Sequence, residues 1–249
     1  MKKTIVYLLM FMCAYSCIPL EAPYIFGMLV DNRDGNRYKT VIIGDQLWIV
    51  DNLAYLPSAS SYESVSARDN HYYVYDYYGT DVAEAKATDN YKTYGVLYNW
   101  PAAKTACPEG WHLPSDAEWE QLNNYLIANK YNYDGTTSDN KIAISMAKAN
   151  SWSSTTNVGT PGNTDYPDYR NKSGFSALPG GYLYSIEPGS TLGGLFSGIG
   201  NNGYWWTSTR TYKGSLYFIS NWNLSYDSNS FTSSSNGSDF GFSVRCVKN

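Results

Sequence analysis

The cysteines constrain the fold of this chain more than any other residues. Two of the four, Cys13 and Cys17, lie close to the N-terminus, and only Cys107 and Cys246 lie in the rest of the 249 residues. Thiols are expected to oxidise in an exported chain, and one disulfide between Cys107 and Cys246 is then the simplest account. The bridge would close a loop of roughly 140 residues and tie the middle of the chain to its C-terminus.

The N-terminal segment indicates export. Lys2 and Lys3 precede an apolar run from residue 5 to residue 12, and small or mildly polar residues follow before Cys17. This is the order of a secretory signal peptide, and the apolar run is too short to span a bilayer. Residues 1–16 are therefore predicted to be removed.

Cys17 is predicted to carry a lipid. Residues 14–17 resemble a bacterial lipobox, although Ala14 stands where leucine is usual. An ordinary signal peptide cleaved nearby is the alternative. We expect a lipidated tether over 17–26, a single domain over 27–249, and anchorage to the outer membrane of a Gram-negative cell envelope.

The composition favours a folded domain built from strands and turns. Hydrophobic residues make up 43% and charged residues 16%, and 25 tyrosines raise the aromatic share to 16%. Aromatic residues favour strands, while serine, asparagine and glycine favour turns. The net charge is −4 and no basic face is visible, so nucleic acid is not expected as a partner.

The first half of the domain contains both strand and helix signals. Turn dipeptides at 34–35 and 44–45 predict strands near 37–43 and 46–50. Asp31, Asp34 and Asn36 do not have the spacing of a calcium loop, so a hairpin turn is the better interpretation.

Three helices are predicted. The first covers 98–106, with Pro101 in its first turn. The second follows the capping box formed by Ser115 and Glu118, and a third short one lies near 141–149. Short aromatic strands broken by glycine and asparagine fill the C-terminal third. Helices early and strands late indicate an α+β domain.

Six blocks of the sequence carry a resemblance to a known family. They include "DNRDGNRYKTVIIGDQLWIVDNL", "YGVLYNWPAA", "CPEGWHLPSDAEWEQL", "GFSALPGGY", "GYWWTST" and "GFSVRCVKN". In this order they resemble the Fibrobacter succinogenes major paralogous domain family of secreted bacterial proteins. The resemblance runs from about Val30 to Lys248.

The resemblance implies a C-type lectin-like fold, related to the formylglycine-generating enzymes. It implies an α+β fold with two short helices, twisted antiparallel strands, long loops and one long-range disulfide, in which Cys107 and Cys246 form the bridge. Formylglycine-generating enzymes use a reactive cysteine pair, which the bridge would consume here. Calcium-dependent lectins use an acid–proline–amide loop, which Glu187-Pro188-Gly189 matches only in its first two residues. We therefore expect no metal and no cofactor.

Other residues that could support chemistry have simpler explanations. His112, Ser115 and Asp116 could suggest a hydrolase, but neighbours at a helix start do not supply a converging triad. His71 is predicted to be a solvated side chain.

Aromatic residues are the predicted ligand-binding set. They comprise Tyr72, Tyr73, Tyr75, Tyr77 and Tyr78, together with whichever of Trp205 and Trp206 faces outward. Exposed aromatic area often marks recognition. We expect a non-catalytic surface binding or adhesion module for a glycan or a protein, held to the membrane only by its lipid. The alternatives are an enzyme of the formylglycine-generating type with altered chemistry, and a structural envelope lipoprotein.

Overall fold

Two curled, five-stranded β-sheets organise the chain. They are seen in a computed structural model, which describes residues 25–185 and 193–249. The predicted signal peptide, Cys17 and the segment around Glu187 lie outside these residues. No helix within the described ranges is long and apolar enough to cross a membrane.

The strands alternate with short helices in the first half and follow one another in the second. The strands are β1 (Ile25–Val30), β2 (Arg37–Ile43), β3 (Gln46–Ile49), β4 (Tyr72–Tyr73), β5 (Leu97–Tyr98), β6 (Trp111–His112), β7 (Gly180–Ser185), β8 (Gly194–Ile199), β9 (Asn202–Lys213), β10 (Leu216–Ser225), β11 (Thr232–Asn236) and β12 (Val247–Lys248). The helices are α1 (Val82–Ala87), α2 (Asp89–Tyr94), α3 (Trp100–Ala103), α4 (Asp116–Ala128) and α5 (Ala143–Met146), and Pro167–Tyr169 forms a 3-10 turn.

The two large sheets differ in how they are assembled. The first has the order β1-β2-β3-β12-β6, and all of its neighbouring strands are antiparallel. The second has the order β11-β10-β9-β7-β8, in which only the short contact between β7 and β9 is parallel. The C-terminal strand β12 thus lies inside the N-terminal sheet, which brings the two ends of the domain together.

The predicted disulfide is confirmed. Cys107 and Cys246 are bonded, with their Cα atoms 5.9 Å apart. Cys246 is fully buried and immediately precedes β12, whereas Cys107 follows α3. The bridge therefore fixes the end of the first helical region against the strand that closes the first sheet.

An aromatic cluster fills the space between the sheets and α4. Trp48, Trp119 and Trp205 are fully buried and pack with the rings of Phe175 and Phe231. The centroids of Trp48 and Trp119 lie 4.6 Å apart, and those of Trp119 and Phe231 lie 5.7 Å apart. Pairs at such distances add to the stabilisation that burial of the rings gives.

The predicted fold class is wrong. The chain is mostly β, with 31% strand and 17% helix, and is not an α+β fold of the C-type lectin-like kind with two short helices. The helices are more numerous than predicted, but four of the five have only four to six residues. The helix predicted over 98–106 is a single turn at Trp100–Ala103. Burial of β-favouring aromatic residues in two sheets outweighs the local helix signals.

The predictions of individual strands and helices were more accurate than the predicted fold class. The strands predicted near 37–43 and 46–50 correspond to β2 and β3. The capping box is present at the start of α4, where the Ser115 and Glu118 side chains satisfy each other's backbone amides. The short helix predicted near 141–149 is α5. These features depend on interactions within a few residues, which the sequence displays directly.

Candidate functional site

The first two tyrosines of the predicted binding set belong to the core. Tyr72 and Tyr73 form β4, and both side chains are buried. The Tyr73 hydroxyl donates to the carbonyl of Ser64, and the ring of Tyr72 packs edge-on against Tyr98. Neither ring is open to a ligand as predicted, because both faces of β4 are covered: Tyr72 packs in one hydrophobic cluster and Tyr73 in another.

The remaining three tyrosines of the run differ from one another in exposure. Tyr75 is half-buried against Phe196, and the hydroxyl of half-buried Tyr77 donates to the Asp81 carbonyl in front of α1. Tyr78 is 56% exposed. Tyr78 is thus the most exposed residue of the run, although its ring packs edge-on against Tyr62 and Phe196, and the five tyrosines do not form one joint exposed surface.

Neither of the two adjacent tryptophans faces solvent. Trp205 and Trp206 are both fully buried, which corrects the prediction that one of them points outward. The indole nitrogen of Trp205 donates to Asn52 Oδ1 at 3.0 Å, and that of Trp206 donates to the Tyr98 carbonyl at 2.7 Å. Strand β9 is covered on both faces, since Trp205 packs with Trp119 and Trp206 packs on Phe242.

A different set of aromatic residues lines a cavity on the second sheet. We call it the aromatic cleft, and it has a volume of about 470 Å³. Its lining consists of Tyr182, Tyr184, Ser197, Tyr204, Ser234, Ser235, Asn236, Phe240 and Phe242. Strands β7, β8, β9 and β11 contribute most of these side chains, so the cleft stands on a hydrogen-bonded scaffold.

The rings of the cleft are packed against one another. The ring of Tyr204 is stacked on Phe242 with centroids 4.9 Å apart and an angle of 18° between the planes. Tyr182 meets Tyr204 edge-on at 5.0 Å and lies 6.0 Å from Tyr184. Phe242 is buried beneath them, while the three tyrosines are half-buried. Their arrangement gives a fixed apolar platform that is partly open to solvent.

Polar groups at the cleft are available to a ligand. The hydroxyls of Tyr182, Tyr184 and Tyr204 make no side-chain hydrogen bond within the described part of the chain, and neither does Ser235 Oγ. A tyrosine hydroxyl is protonated at neutral pH and can donate, and burial, with a smaller effect of the neighbouring Tyr182, raises the pKa of Tyr204 further above its ordinary value of 10.0. The cleft therefore combines apolar ring faces with hydroxyl donors.

A buried amide positions the polar rim. Asn221 in β10 is fully buried, and its Nδ2 donates to Asn236 Oδ1 at 2.8 Å. Its Oδ1 accepts from Ser234 Oγ at 2.7 Å. Both partners line the cleft, so Asn221 fixes their orientation from below without contacting a ligand.

An apolar groove continues from the cleft. It has a volume of about 760 Å³ and shares Ser235, Asn236 and Phe240 with the aromatic cleft. Val65, Leu216 and Phe218 are among its apolar lining residues, and the charged residues Arg68 and Asp239 line it as well. By contrast, the lining of the aromatic cleft contains no charged side chain.

The residues that could suggest a hydrolase have structural partners. His112 Nε2 lies 2.7 Å from Glu118 Oε1, and Ser115 Oγ donates to Glu118 Oε2 at 2.7 Å. Asp116 Oδ1 accepts from Ser220 and from the Trp222 indole. The serine hydroxyl therefore points to the carboxylate of its own helix cap. These three residues do not converge into a nucleophile–base pair.

Cysteine chemistry and metal binding were not expected from the sequence. Cys107 and Cys246 are joined in the disulfide, so neither offers a thiolate. Within residues 25–185 and 193–249, no group of three or more histidine, cysteine, aspartate or glutamate side chains could hold a metal ion. His71 is half-buried, with its Nδ1 at 3.1 Å from Ser60 Oγ, rather than solvated as predicted.

A buried arginine links three segments that lie far apart in the sequence. Arg245 is fully buried, and its guanidinium donates to the carbonyls of Phe175 and Ser176 and to Asn52 Oδ1. Burial lowers its pKa to about 9, so the group remains charged at neutral pH. Its charge lies over the Phe175 ring at 4.2 Å, and Asn52 Oδ1 also accepts from Trp205.

Comparison with known families identifies the chain. The model of the Fibrobacter succinogenes major domain matches residues 41–248. This chain belongs to that family. No curated protein and no solved structure matches it.

The cluster around Arg245 is built from residues of the sequence blocks that resemble the Fibrobacter succinogenes major domain family. Asn52, Phe175, Trp205 and Arg245 come from four of the blocks that carry the resemblance, and they meet around one buried charge. Cys246, next to Arg245, forms the bridge to Cys107 of a fifth block. These four residues thus build the core of the domain, while Tyr182, Tyr204 and Phe242 of the same blocks line the aromatic cleft.

Sequence reasoning missed the aromatic cleft for a specific reason. Tyr182 and Tyr184 alternate with buried residues in β7, a pattern that was visible in "GGYLYS". Their partners Tyr204 and Phe242 lie some 20 and 60 residues further along the chain, and strand order alone brings them together. The high density of tyrosines at 72–78 was a stronger signal in the local sequence, but it indicated residues that pack within the domain rather than a binding surface.

Proposed function

We propose that this protein is a non-catalytic, exported binding module whose ligand is a glycan held in the aromatic cleft. The single observation that supports this most is the platform of Tyr182, Tyr184 and Tyr204, whose hydroxyls make no side-chain hydrogen bond to the residues that the structure describes. Sugar rings present apolar C–H faces together with many hydroxyl groups. A fixed aromatic face edged by hydroxyls and amides complements both features.

The lining also indicates which glycans to expect. The aromatic cleft contains hydroxyl, amide and ring groups but no charged side chain. A carboxylate or sulfate placed there would lose its hydration without gaining a cationic partner, and that desolvation is costly. We therefore propose that the aromatic cleft binds neutral sugars.

The enzyme alternative has weaker support. Chemistry of the formylglycine-generating type needs reactive cysteines, and Cys107 and Cys246 form the structural bridge. A purely structural envelope protein would not need unpaired tyrosine hydroxyls at a half-open cleft. A protein ligand remains the competing partner for the same surface, because tyrosine-rich surfaces serve both kinds of recognition.

The cellular location follows the same proposal. We propose that Cys17 is lipidated and anchors the domain to the outer membrane of a Gram-negative cell envelope. The disulfide supports export, because such bonds persist in oxidising compartments. In cell fractionation, a Cys17→Ala variant should move from the membrane to the soluble fraction, whereas unchanged membrane association would contradict lipidation.

The test combines a glycan array with variants of the cleft. We expect binding to neutral oligosaccharides that persists in a chelator. Tyr184→Ala should weaken affinity by about tenfold or more, as truncation of a central aromatic contact does. The control is Tyr78→Ala, which removes an exposed tyrosine from the run that the sequence suggested. Titration calorimetry measures both affinities.

Several outcomes would contradict the proposal. Equal loss of affinity in Tyr184→Ala and Tyr78→Ala would remove the cleft as the site. Binding only to proteins, with no glycan retained, would favour the competing partner. Turnover of a thiol substrate by the full chain would favour the enzyme.

A further inference from the structure

The hairpin of β9 and β10 extends beyond the sheet that contains it. Strand β11 pairs with β10 only over residues 219–223, and β7 pairs with β9 only at Gly203. Within the described ranges, Thr211–Lys213 and Leu216–Phe218 therefore pair only with each other, and Arg210 pairs with Ile219 at their base. We call residues 210–218 the ribbon.

The tip of the ribbon is tightly closed. Only Gly214 and Ser215 lie between the two strands, and Gly214 has a φ of +63°. A two-residue turn of this kind matches the twist of the strands that it joins, so the tip is a short, defined loop. All six residues from Tyr212 to Tyr217 are exposed.

Both faces of the ribbon carry large apolar side chains. Tyr212 lies opposite Tyr217, and alternation along the strands puts both on one face. Leu216 and Phe218 lie on the other face. Tyr212 is 68% exposed and Leu216 is 65% exposed, the highest values among the large hydrophobic residues of the described chain.

The ribbon is also cationic, although the whole chain is acidic. Arg210 and Lys213 are its charged residues, and it contains no aspartate or glutamate, whereas the chain has a net charge of −4. The Arg210 guanidinium lies 5.3 Å from the centre of the Tyr217 ring, and Lys213 Nζ lies 5.5 Å from that of Phe218. Lys213 thus lies over a ring next to the tip, whereas Arg210 lies at the base of the ribbon, where its guanidinium is also 4.9 Å from the centre of the Trp100 ring.

We propose that the ribbon is a second binding element, which inserts its tip into the interface of an anionic lipid surface. Leu216 and Phe218 also line the apolar groove, but the tip stays largely exposed at Tyr212 on one face and at Leu216 on the other. A rigid protein partner would cover one of these faces, whereas a fluid interface surrounds both. Tyrosine and leucine place apolar area at the acyl boundary, and arginine and lysine extend their charges to the headgroups. The positive charge of the tip is complementary to anionic headgroups.

The test uses the mature chain from residue 17 with Cys17→Ala, so that neither the signal peptide nor an acyl chain contributes to binding. Partition is measured by sedimentation with vesicles of phosphatidylglycerol and phosphatidylcholine in equal parts, and with vesicles of phosphatidylcholine alone. We expect stronger binding to the anionic vesicles, weakened by salt. Lys213→Glu should reduce that binding on the order of tenfold or more, and Leu216→Ser by several-fold.

The matched controls keep the chemistry of each change but move it off the ribbon. Lys39→Glu makes the same charge change at an exposed lysine of β2, and Val158→Ser removes an apolar side chain that is 48% exposed. Hydrogen exchange gives a local measurement, in which residues 212–217 should become protected when anionic vesicles are added. Melting temperatures of all four variants show that the fold is retained.

Three results would overturn the inference. The first is equal partition of Lys213→Glu and Lys39→Glu. The second is unchanged exchange at residues 212–217 in the presence of vesicles. The third is equal binding to the neutral and anionic vesicles. This inference does not depend on glycan binding, because its variants lie outside the aromatic cleft.

Discussion

At the scale of single residues, the buried polar groups determine which side chains and carbonyls must meet in the core. Arg245 has no carboxylate in contact among the described residues, and its charge is satisfied by backbone carbonyls, the Asn52 amide and aromatic faces. Removing one partner from such a cluster leaves the others buried without hydrogen bonds. The energetic cost of a substitution here is therefore greater than that of the lost contact alone.

This gives a prediction for Arg245. Arg245→Ala should lower the free energy of unfolding by about 3–5 kcal/mol, because it leaves two carbonyls unpaired and opens a cavity. Chemical denaturation measures the change. Arg68→Ala is the control, because Arg68 is exposed and should change stability by less than about 0.5 kcal/mol. Similar stability of the two variants would show that the buried cluster is not a main support of the core.

At the scale of elements, α4 is the helix whose start is best defined by its sequence. The Ser115 side chain accepts from the Glu118 amide, and Glu118 Oε2 accepts from the Ser115 amide at 2.7 Å. Partial burial raises the pKa of Glu118, but hydrogen bonds from Ser115 and His112 outweigh it and hold the pKa below its ordinary value of 4.5. Folding thus favours the ionised form of Glu118.

The sign of the pH dependence follows from that lowered pKa. The stabilisation from Glu118 is present above about pH 4.5 and is lost as the pH falls through the lower folded-state pKa. Melting temperatures between pH 7 and pH 3 should decline less steeply for Glu118→Gln than for the wild type. Ser115→Ala should cost about 1 kcal/mol at pH 7. If the melting temperature of Glu118→Gln declined between pH 7 and pH 3 as steeply as that of the wild type, other carboxyl groups would be responsible for the loss of stability in acid.

At the scale of the whole molecule, the disulfide joins segments 139 residues apart. It holds α3 against the C-terminal strand, which itself completes the N-terminal sheet. Restricting so long a loop in the unfolded chain stabilises the fold by roughly 4–5 kcal/mol in the chain-entropy account.

We therefore expect a large effect of removing the bridge. A Cys107→Ala, Cys246→Ala double variant should melt on the order of 10 °C or more below the wild type, since about 1 kcal/mol shifts the melting temperature by 2–4 °C in a domain of this size. Wild-type protein measured with a reductant should show the same shift. If the double variant and the wild type melted together, the bridge would be incidental to stability.

The sequence by itself determined the features that depend on near neighbours or on few alternatives. The capping box of α4, the hairpin of β2 and β3, and the pairing of Cys107 with Cys246 could all be predicted from residue types and spacing. Only the tertiary structure decided the fold class and the site. Whether Trp206 or Tyr184 faces solvent depends on which strand or loop covers it, and that cover comes from distant parts of the chain. Periodicity reports the two faces of a strand, but it cannot report what packs on each of them.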